Sequence, residues 1–197
     1  MAAQTLKGLR VAILVDNGFE EVEMTRPRKA LDDAGVETHI VSPQDRRVRA
    51  WNFTDWSAYY PVDARLNEVD PEYYHGLLLP GGVLNPDSLR IRPKAVQFVE
   101  AFFAAGKPVA SICHGPWMVI EAGGARGRRV TSWPSLRTDL KNAGAEWVDK
   151  ETVVDRNLLT SRNPDDIPAF NREMIAMFAI ARNQTYLLRS APVAVRL

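Results

Sequence analysis

The residues that best combine reactive chemistry with a defined local geometry are Cys113, His114 and Gly115. Cys113 is the only cysteine among 197 residues. It follows an apolar run, 109–112, that is typical of a short buried strand, and it precedes a second apolar run, 117–120, that suits the first turns of a helix. A thiol on such a strand-to-helix turn is placed like the serine of a nucleophile elbow. We therefore predict that Cys113 is a nucleophile whose pKa is lowered by the helix N-terminus.

The same cysteine has a plainer interpretation as a small apolar side chain of the core. His114 and Gly115 directly after it are more typical of a turn than of a core strand. They favour the reactive thiol.

Two other segments end predicted buried strands with residues that suit a site. Residues 16–21 (Asp-Asn-Gly-Phe-Glu-Glu) follow the apolar run 9–15, and Pro-Gly-Gly at 80–82 follows the run 77–79. Ligands of open α/β sheets bind at the carboxyl ends of the strands, where these segments converge with the elbow. Each segment alone has an ordinary explanation, either as a helix start with a favourable acidic residue or as a turn. Together they supply a nucleophile, a carboxyl group and backbone N–H donors.

The carboxyl group expected beside the thiol is that of Glu20. An ionised carboxylate there would repel a thiolate, whereas a protonated one would donate a hydrogen bond and stabilise it. We predict that Glu20 shares a proton with Cys113, with Glu21 and Glu23 as less favoured rivals for this role.

Backbone donors are expected close to the nucleophile. The N–H groups of Gly82 and His114 are candidates for an oxyanion hole. The neighbouring Gly81 and Gly115 are grouped with them as substrate-binding positions.

If the site contains a general base, His114 is the candidate, because His39 and His75 lie upstream and no histidine follows. The second ring nitrogen of such a base needs an acid to orient it. Asp87 lies shortly after Pro-Gly-Gly and is the candidate acid; its plainer role is in the first turn of a helix.

Other chemistries find little support in the sequence. It holds no Walker A motif, and the glycines at 123–127 do not have the dinucleotide-binding spacing. Three dispersed histidines and one cysteine do not form a zinc-ligand pattern. We predict a protein without a cofactor or a metal ion.

Composition narrows the class of protein further. With 25 basic and 24 acidic residues the net charge is +1, which argues against binding to nucleic acid or to acidic membranes. A single cysteine cannot form an intramolecular disulfide and favours a cytoplasmic location. The first residues lack the pattern of a signal peptide, and no apolar run approaches the ~20 residues that span a bilayer.

Strand and helix patterns alternate along the chain. Apolar runs predict strands at 9–15, 36–41, 77–79, 109–112, 152–154 and 158–160. Helical spacing predicts helices at about 20–33, from an Asn85 N-cap to about 105, from 117, at about 135–142 and from 163 to 181. The aromatic segment within 44–74 lacks helical periodicity and predicts a short β-ribbon or an ordered loop layer.

This alternation predicts an α/β protein with a doubly wound, mostly parallel sheet and helices on both faces. We expect one domain over residues 1–181. Residues 182–197 are expected to form a C-terminal extension that packs on the surface or at an interface.

Several segments of the sequence resemble one family. Phe-Glu-Glu-Val-Glu at 19–23, Leu-Pro-Gly-Gly at 79–82 and, above all, Lys-Pro-Val-Ala-Ser-Ile-Cys-His-Gly-Pro at 107–116 resemble the PfpI family. These are intracellular cysteine-peptidase-like proteins in the superfamily of the parkinsonism-associated deglycase. Further matches occur at 126–128, 131–134, 142–149 and 161–162, so that the resemblance covers about residues 9–181.

The resemblance implies a flavodoxin-like domain, similar to the class I glutamine amidotransferases, and a homodimer that sometimes assembles into hexamers. It implies Cys113 as nucleophile, His114 beside it and Glu20 as the nearby carboxyl group. In the peptidase-like members an acid from a neighbouring protomer completes a triad, and Asp87 occupies the matching position. The aromatic segment 50–60 is longer than this pattern expects, which indicates a reshaped site entrance.

Three functions follow as hypotheses. The first is a cofactor-free thiol hydrolase of the stress response that acts on reactive carbonyls or their protein adducts, like a deglycase or glyoxalase. The second is an intracellular cysteine peptidase with a triad shared between subunits. The third is a non-enzymatic redox sensor or chaperone in which Cys113 is oxidised.

Overall fold

The computed structural model describes the backbone of residues 6–190 and the side chains of residues 6–181. Its strands are β1 (Arg10–Leu14), β2 (Phe19–Glu20), β3 (Glu37–Ser42), β4 (Arg47–Asn52), β5 (Asp55–Pro61), β6 (Ala64–Arg65), β7 (Gly76–Leu79), β8 (Val109–Ile112), β9 (Arg129–Val130), β10 (Glu146–Trp147), β11 (Thr152–Asp155) and β12 (Leu158–Ser161). Its α-helices are α1 (Glu21–Asp33), α2 (Leu84–Arg90), α3 (Pro93–Ala104), α4 (Pro116–Glu121), α5 (Arg137–Asn142) and α6 (Ile167–Ser190).

The central element is a seven-stranded sheet in the order β11-β12-β8-β7-β1-β3-β6. Only β11 runs antiparallel to its neighbour, so the prediction of a mostly parallel, doubly wound sheet is confirmed. The five inner strands, β3-β1-β7-β8-β12, have the chain order 2-1-3-4-5 that defines flavodoxin-like folds.

Both faces of the sheet are buried, which explains why its strands are continuous apolar runs. Along β1, Val11 and Ile13 contact the core layer that holds Met24 of α1 and Phe170 of α6. The alternate residues Ala12 and Leu14 contact the opposite layer, formed largely by the helices α3, α4 and α5. This two-layer packing fixes the ends of β1, β7 and β8 side by side, and these ends carry the candidate site.

The start of α2 differs from the prediction that Asn85 is its N-cap. The helix begins at Leu84 instead, and the Asn85 side chain points back into the protein. Its Nδ2 donates to the carbonyl oxygens of Pro80 (3.0 Å) and Gly81 (3.1 Å), and its Oδ1 accepts from the N–H of Asp16 (2.7 Å). Asn85 therefore braces the Pro-Gly-Gly turn against the end of β1, because buried carbonyl groups need a donor.

The aromatic segment forms an antiparallel hairpin of β4 and β5, which is the predicted β-ribbon and not the alternative of an ordered loop layer. Strand β2 pairs in parallel with β4, which joins the hairpin to the start of α1. The strands β2, β6, β9 and β10 each have two residues, too few to show a pattern in the sequence.

The C-terminal helix extends further than its apolar stripe predicts. It continues from Ile167 to Ser190, past the expected end at residue 181. The prediction that 182–197 packs on the surface or at an interface lies outside the residues whose side chains are described. Across residues 6–190, no helix combines the length and the apolar character that crossing a membrane requires.

Packing of α6 on the sheet makes a direct prediction for stability. Phe170 is fully buried in the layer between α1, α6 and the sheet. Phe170→Ala should lower the free energy of unfolding by about 3–5 kcal/mol through lost burial and a residual cavity. Chemical denaturation measures this change. Ile91, which is 79% exposed, is the matched control, and equal losses in Phe170→Ala and Ile91→Ala would contradict the packing.

Candidate active site

Cys113 lies directly after β8 in a conformation that few residues adopt. Its φ of 62° is in the left-handed region, which is strained for a residue with a side chain. The Cys113 N–H donates to the carbonyl oxygen of Ser161 (3.0 Å), and its own carbonyl accepts from the N–H of Trp133 (2.9 Å). These two bonds hold the strained residue in place, and the chain turns sharply there as the nucleophile-elbow interpretation expects.

Gly115 permits this turn through its lack of a side chain. A Cβ at this position would overlap the carbonyl oxygen of Leu79 on the neighbouring strand. The Gly115 N–H donates to the carbonyl oxygen of Ile112 (2.9 Å). This N–H is therefore engaged within the turn, and the substrate-binding role of Gly115 stays a prediction.

The carboxyl group at the thiol belongs to Glu23, whereas the sequence favoured Glu20. Glu23 is fully buried, its side chain interacts with the thiol of Cys113, and its Oε1 has no nitrogen or oxygen partner among the described residues. Its Oε2 also accepts from the N–H of Gly81 (2.9 Å), so this N–H too is engaged inside the protein. The reason for the difference is helical geometry, because Glu23 shares the inward face of α1 with the buried residues Met24, Pro27 and Leu31.

Burial determines the charge of this pair. It raises the pKa of Glu23 to about 8, so that the carboxyl group is protonated at neutral pH. Burial also raises the pKa of the Cys113 thiol, followed by the charge of Glu23 in its ionised form and by the hydrogen bond that this carboxylate accepts from the thiol. The thiol pKa is therefore raised overall, against the expectation of a lowered value, since burial outweighs the local donors.

Both predicted oxyanion donors act on the sulfur itself. The backbone N–H groups of Gly82 and His114 hydrogen-bond to Cys113 and lower the pKa of its thiol. Because Glu23 and Cys113 interact strongly, they titrate as a pair. Once Glu23 holds the proton, its charge no longer opposes a thiolate, and the two N–H donors stabilise the anion.

Glu20 occupies a different position at the same cavity. It is 7% exposed, and its Oε2 accepts from the N–H of Phe53 (3.2 Å). Among the described residues its Oε1 has no hydrogen-bond partner. Burial raises the pKa of Glu20, and the adjacent Glu21 raises it further. The site thus holds a second carboxyl group with a free oxygen.

His114 lies beside the nucleophile as a neutral imidazole. Its Nδ1 is 3.2 Å from the sulfur of Cys113, and its Nε2 is 3.3 Å from Oγ of Ser135. Burial lowers the pKa of His114 to about 4, and its ring stacks on that of Trp133. Ser135 was not predicted from the sequence, where nothing relates it to the elbow. Asp87, the predicted orienting acid, is exposed on α2.

The β4–β5 hairpin is anchored to the loop that precedes α1. Glu21 accepts hydrogen bonds from the hydroxyl groups of Ser57 and Tyr60, the latter at 2.6 Å. Asn17 Oδ1 accepts from the N–H of Arg49 (2.7 Å). These contacts fix the hairpin, whose residues Trp51 and Phe53 line the same cavity as Cys113.

The site is a cavity of about 420 Å³. Four of the predicted site residues line it, namely Cys113, His114, Glu20 and Gly82. Apolar side chains complete the lining and are here called the apolar collar: Trp51, Phe53, Val83, Leu84, Trp133 and Pro164. Trp51 and Phe53 belong to the aromatic segment that the sequence placed at the site entrance, and the other four were not predicted.

The shared proton makes a prediction about thiol reactivity. Glu23→Gln keeps the shape of the side chain but replaces the O–H donor with a weaker N–H donor, so that the pKa of the Cys113 thiol should rise. A rise of one unit would slow alkylation by iodoacetamide at neutral pH about tenfold. The rate of alkylation, followed by mass spectrometry, measures this effect.

Glu151→Gln, which changes an exposed carboxyl group, should alkylate at the rate of the unmodified protein. If Glu23 were instead ionised at neutral pH, its removal would relieve repulsion and speed up alkylation. A faster reaction in Glu23→Gln would therefore contradict the assignment.

Comparison with known proteins identifies a family and several named relatives. Residues 9–177 match the DJ-1/PfpI family. The chain is 42% identical over 171 residues to general stress protein 18 of Bacillus subtilis, covering 86% of this chain and 98% of that protein. It is 39% identical over 170 residues to deglycase PfpI of Pyrococcus furiosus (86% and 99% covered) and 40% identical over 169 residues to protein/nucleic acid deglycase 2 of Escherichia coli (85% and 96%).

Solved structures show the same fold. The DJ-1/ThiJ/PfpI-like and ferritin-like two-domain protein of Anabaena variabilis aligns with a TM-score of 0.80 at 32% identity, over 85% of this chain and 47% of that one. DJ-1 of Schizosaccharomyces pombe aligns with a TM-score of 0.77 at 24% identity, over 93% of this chain and all of that one. With the elbow cysteine and its buried carboxyl partner in the matched region, the chain belongs to the DJ-1/PfpI family.

Proposed function

We propose that this chain is a cofactor-free, cysteine-dependent hydrolase of the deglycase type, which acts on reactive carbonyls and on their adducts with proteins. The observation that carries the proposal is the buried thiol of Cys113, hydrogen-bonded to the protonated Glu23 at the floor of an open cavity. Relatives named deglycase and general stress protein, at 39–42% identity over most of the chain, support a role in stress responses.

The chemistry begins with attack on an aldehyde. The thiolate of Cys113 adds to the aldehyde carbon of a 2-oxoaldehyde, and the oxyanion takes a proton to give a hemithioacetal. Glu23 is hydrogen-bonded to the sulfur and supplies that proton. No external oxidant or reductant is required up to this point.

The next step moves a proton between two carbon atoms. The free Oε1 of Glu20 removes the proton from the former aldehyde carbon and returns it to the neighbouring carbonyl carbon by way of an enediol. The former aldehyde carbon is thereby oxidised to a thioester, while the ketone carbon is reduced to an alcohol. Water then hydrolyses the thioester, which releases a 2-hydroxy acid and regenerates Cys113.

Adducts on proteins follow the same route. A hemiaminal formed between an amine and a 2-oxoaldehyde exchanges its nitrogen for the sulfur of Cys113, and the amine leaves unmodified. The remaining steps are those of the free aldehyde. The net reaction consumes one water molecule and yields an amine and a 2-hydroxy acid.

This mechanism predicts the effects of two substitutions on the conversion of methylglyoxal to lactate. Cys113→Ala should abolish turnover. Glu20→Gln should lower kcat by about 10²-fold, in the range of general acid–base effects. Because the pKa of Glu20 is raised above its usual value, activity in the unmodified protein should fall as the pH drops through that raised pKa.

This acid limb of the pH–rate profile should be absent in Glu20→Gln. The Glu151→Gln variant serves as the control and should keep the full profile. An unmodified protein that converts no methylglyoxal and repairs no methylglyoxal-treated protein would refute the proposed function.

A second candidate function is peptide cleavage by an oligomer. Within the protomer, Nε2 of His114 lies 3.3 Å from the Ser135 hydroxyl group. Asp87 is exposed on α2. We propose that the chain forms a homodimer or hexamer in which Asp87 of a neighbouring protomer orients His114. We place this assembly in the cytoplasm, where reducing conditions keep a free thiol reduced.

The peptidase candidate makes a separate prediction for Asp87→Asn. Cleavage of a fluorogenic peptide library should fall at least about tenfold, because His114 loses the acid that orients it. Turnover of methylglyoxal, which relies on Glu20, should stay within about twofold of the unmodified protein. Light scattering establishes the oligomeric state of both proteins, and oligomers that cleave no peptide would exclude this candidate.

A further inference from the structure

We propose that the cavity selects carbonyl substrates with an apolar, preferably aromatic, substituent, and that Phe53 and Trp133 hold this substituent. The inference rests on the proposed function, because it names the substrate class of the same site. Its basis is the apolar collar, which faces the cavity above Cys113.

The collar exposes large apolar side chains that a fold would otherwise bury. Phe53 is 65% exposed, Leu84 49% and Trp133 40%. These side chains are contiguous around one cavity, and contiguous exposed apolar surface commonly marks a binding site. A volume of about 420 Å³ suits a small organic ligand.

The tip of the hairpin is held in the conformation that exposes Phe53. Its φ of 52° is in the left-handed region, which is strained for an aromatic residue. Its N–H donates to Glu20 (3.2 Å), and its carbonyl oxygen accepts from Nε1 of Trp51 (2.9 Å). The ring of Trp51 in turn packs edge-to-face on Trp56. The aromatic surface is thus preorganised, which reduces the entropy lost on binding.

The distribution of charge around the cavity excludes other substituents. No lysine or arginine is among the described residues that line it, so a phosphate or carboxylate group on the substrate would find no cation. Hydroxyl groups of a sugar chain would lose water against the apolar collar without gaining partners. The polar side chains that line the cavity are those of Cys113, His114, Glu20 and Glu23.

The reactive groups and the apolar collar therefore suit the two parts of one substrate class. The dicarbonyl group of a 2-oxoaldehyde meets the thiol and the carboxyl groups, and its aryl or branched alkyl substituent meets Phe53 and Trp133. Phenylglyoxal has this structure, whereas methylglyoxal has only a methyl group to place in the collar.

The first test compares initial rates on these two aldehydes. Burying about 60 Å² more apolar surface favours phenylglyoxal by about tenfold in kcat/KM, at roughly 25 cal/mol per Å². In Phe53→Ala, and in Trp133→Ala as a second variant, this preference should fall to about twofold or less. Tyr59→Ala removes an aromatic side chain of the same hairpin outside the collar and should keep the full preference.

The second test does not depend on turnover. Methyl and benzyl methanethiosulfonate react with a thiolate at the sulfenyl sulfur, which forms a mixed disulfide with Cys113 and expels methanesulfinate. The ratio of the two rates is corrected by the ratio for N-acetylcysteine. We expect the benzyl reagent to be favoured about tenfold in the unmodified protein and in Tyr59→Ala, and not in Phe53→Ala.

The outcomes separate the two proposals. A benzyl preference that depends on Phe53, without any turnover of 2-oxoaldehydes, supports the collar and refutes the proposed function. A ratio that is the same in Phe53→Ala and the unmodified protein overturns the collar, whatever the turnover. That same result is expected if a second copy of the chain covers the collar.

Discussion

The site depends on one interaction, the hydrogen bond between the buried carboxyl group of Glu23 and the thiol of Cys113. Two negative charges cannot coexist at this distance away from water, so the pair must retain a proton. Burial raises the pKa of both groups, and the backbone N–H groups of Gly82 and His114 favour negative charge on the sulfur. The structure thus keeps the carboxyl group protonated at neutral pH, and the two N–H donors stabilise negative charge on the sulfur once the thiolate forms.

Much of the surrounding fold serves to place this pair. The turn at Cys113 requires a left-handed backbone, and the adjacent Gly115 allows the chain to pass close to β7. Asn85 ties the Pro-Gly-Gly turn to the end of β1, and Gly81 in that turn donates to Glu23. The ends of β1, β7 and β8 therefore meet around the Glu23–Cys113 pair.

Three glutamates within four positions perform three different tasks, because the chain changes from strand to helix among them. Glu20 precedes α1 and faces the cavity, Glu21 holds the hairpin hydroxyl groups and Glu23 points into the core. This arrangement links the nucleophile to the hairpin. The hairpin contributes Trp51 and Phe53 to the collar but no residue to the pair.

The sequence indicates the sheet, the elbow and the family, since buried parallel strands and a strand-to-helix turn leave strong local patterns. It identifies Glu23 as the partner of the thiol only when the faces of the helix are considered. Glu23 lies on the same face as Met24, Pro27 and Leu31, which indicates that it points inward. Asn85 resembles an N-cap, and only the packed structure shows that its amide group is needed elsewhere. Ser135 and the collar residues outside the aromatic segment 50–60 come from segments distant in sequence, so no local pattern relates them to the cysteine.

The protonation state of Glu23 is the central claim, and infrared difference spectroscopy tests it most directly. The spectrum of the unmodified protein minus that of Glu23→Gln should contain the C=O stretch of a protonated carboxyl group at neutral pH. This band should give way to carboxylate bands as the pH rises through about 8. Carboxylate bands already present at neutral pH would contradict the account.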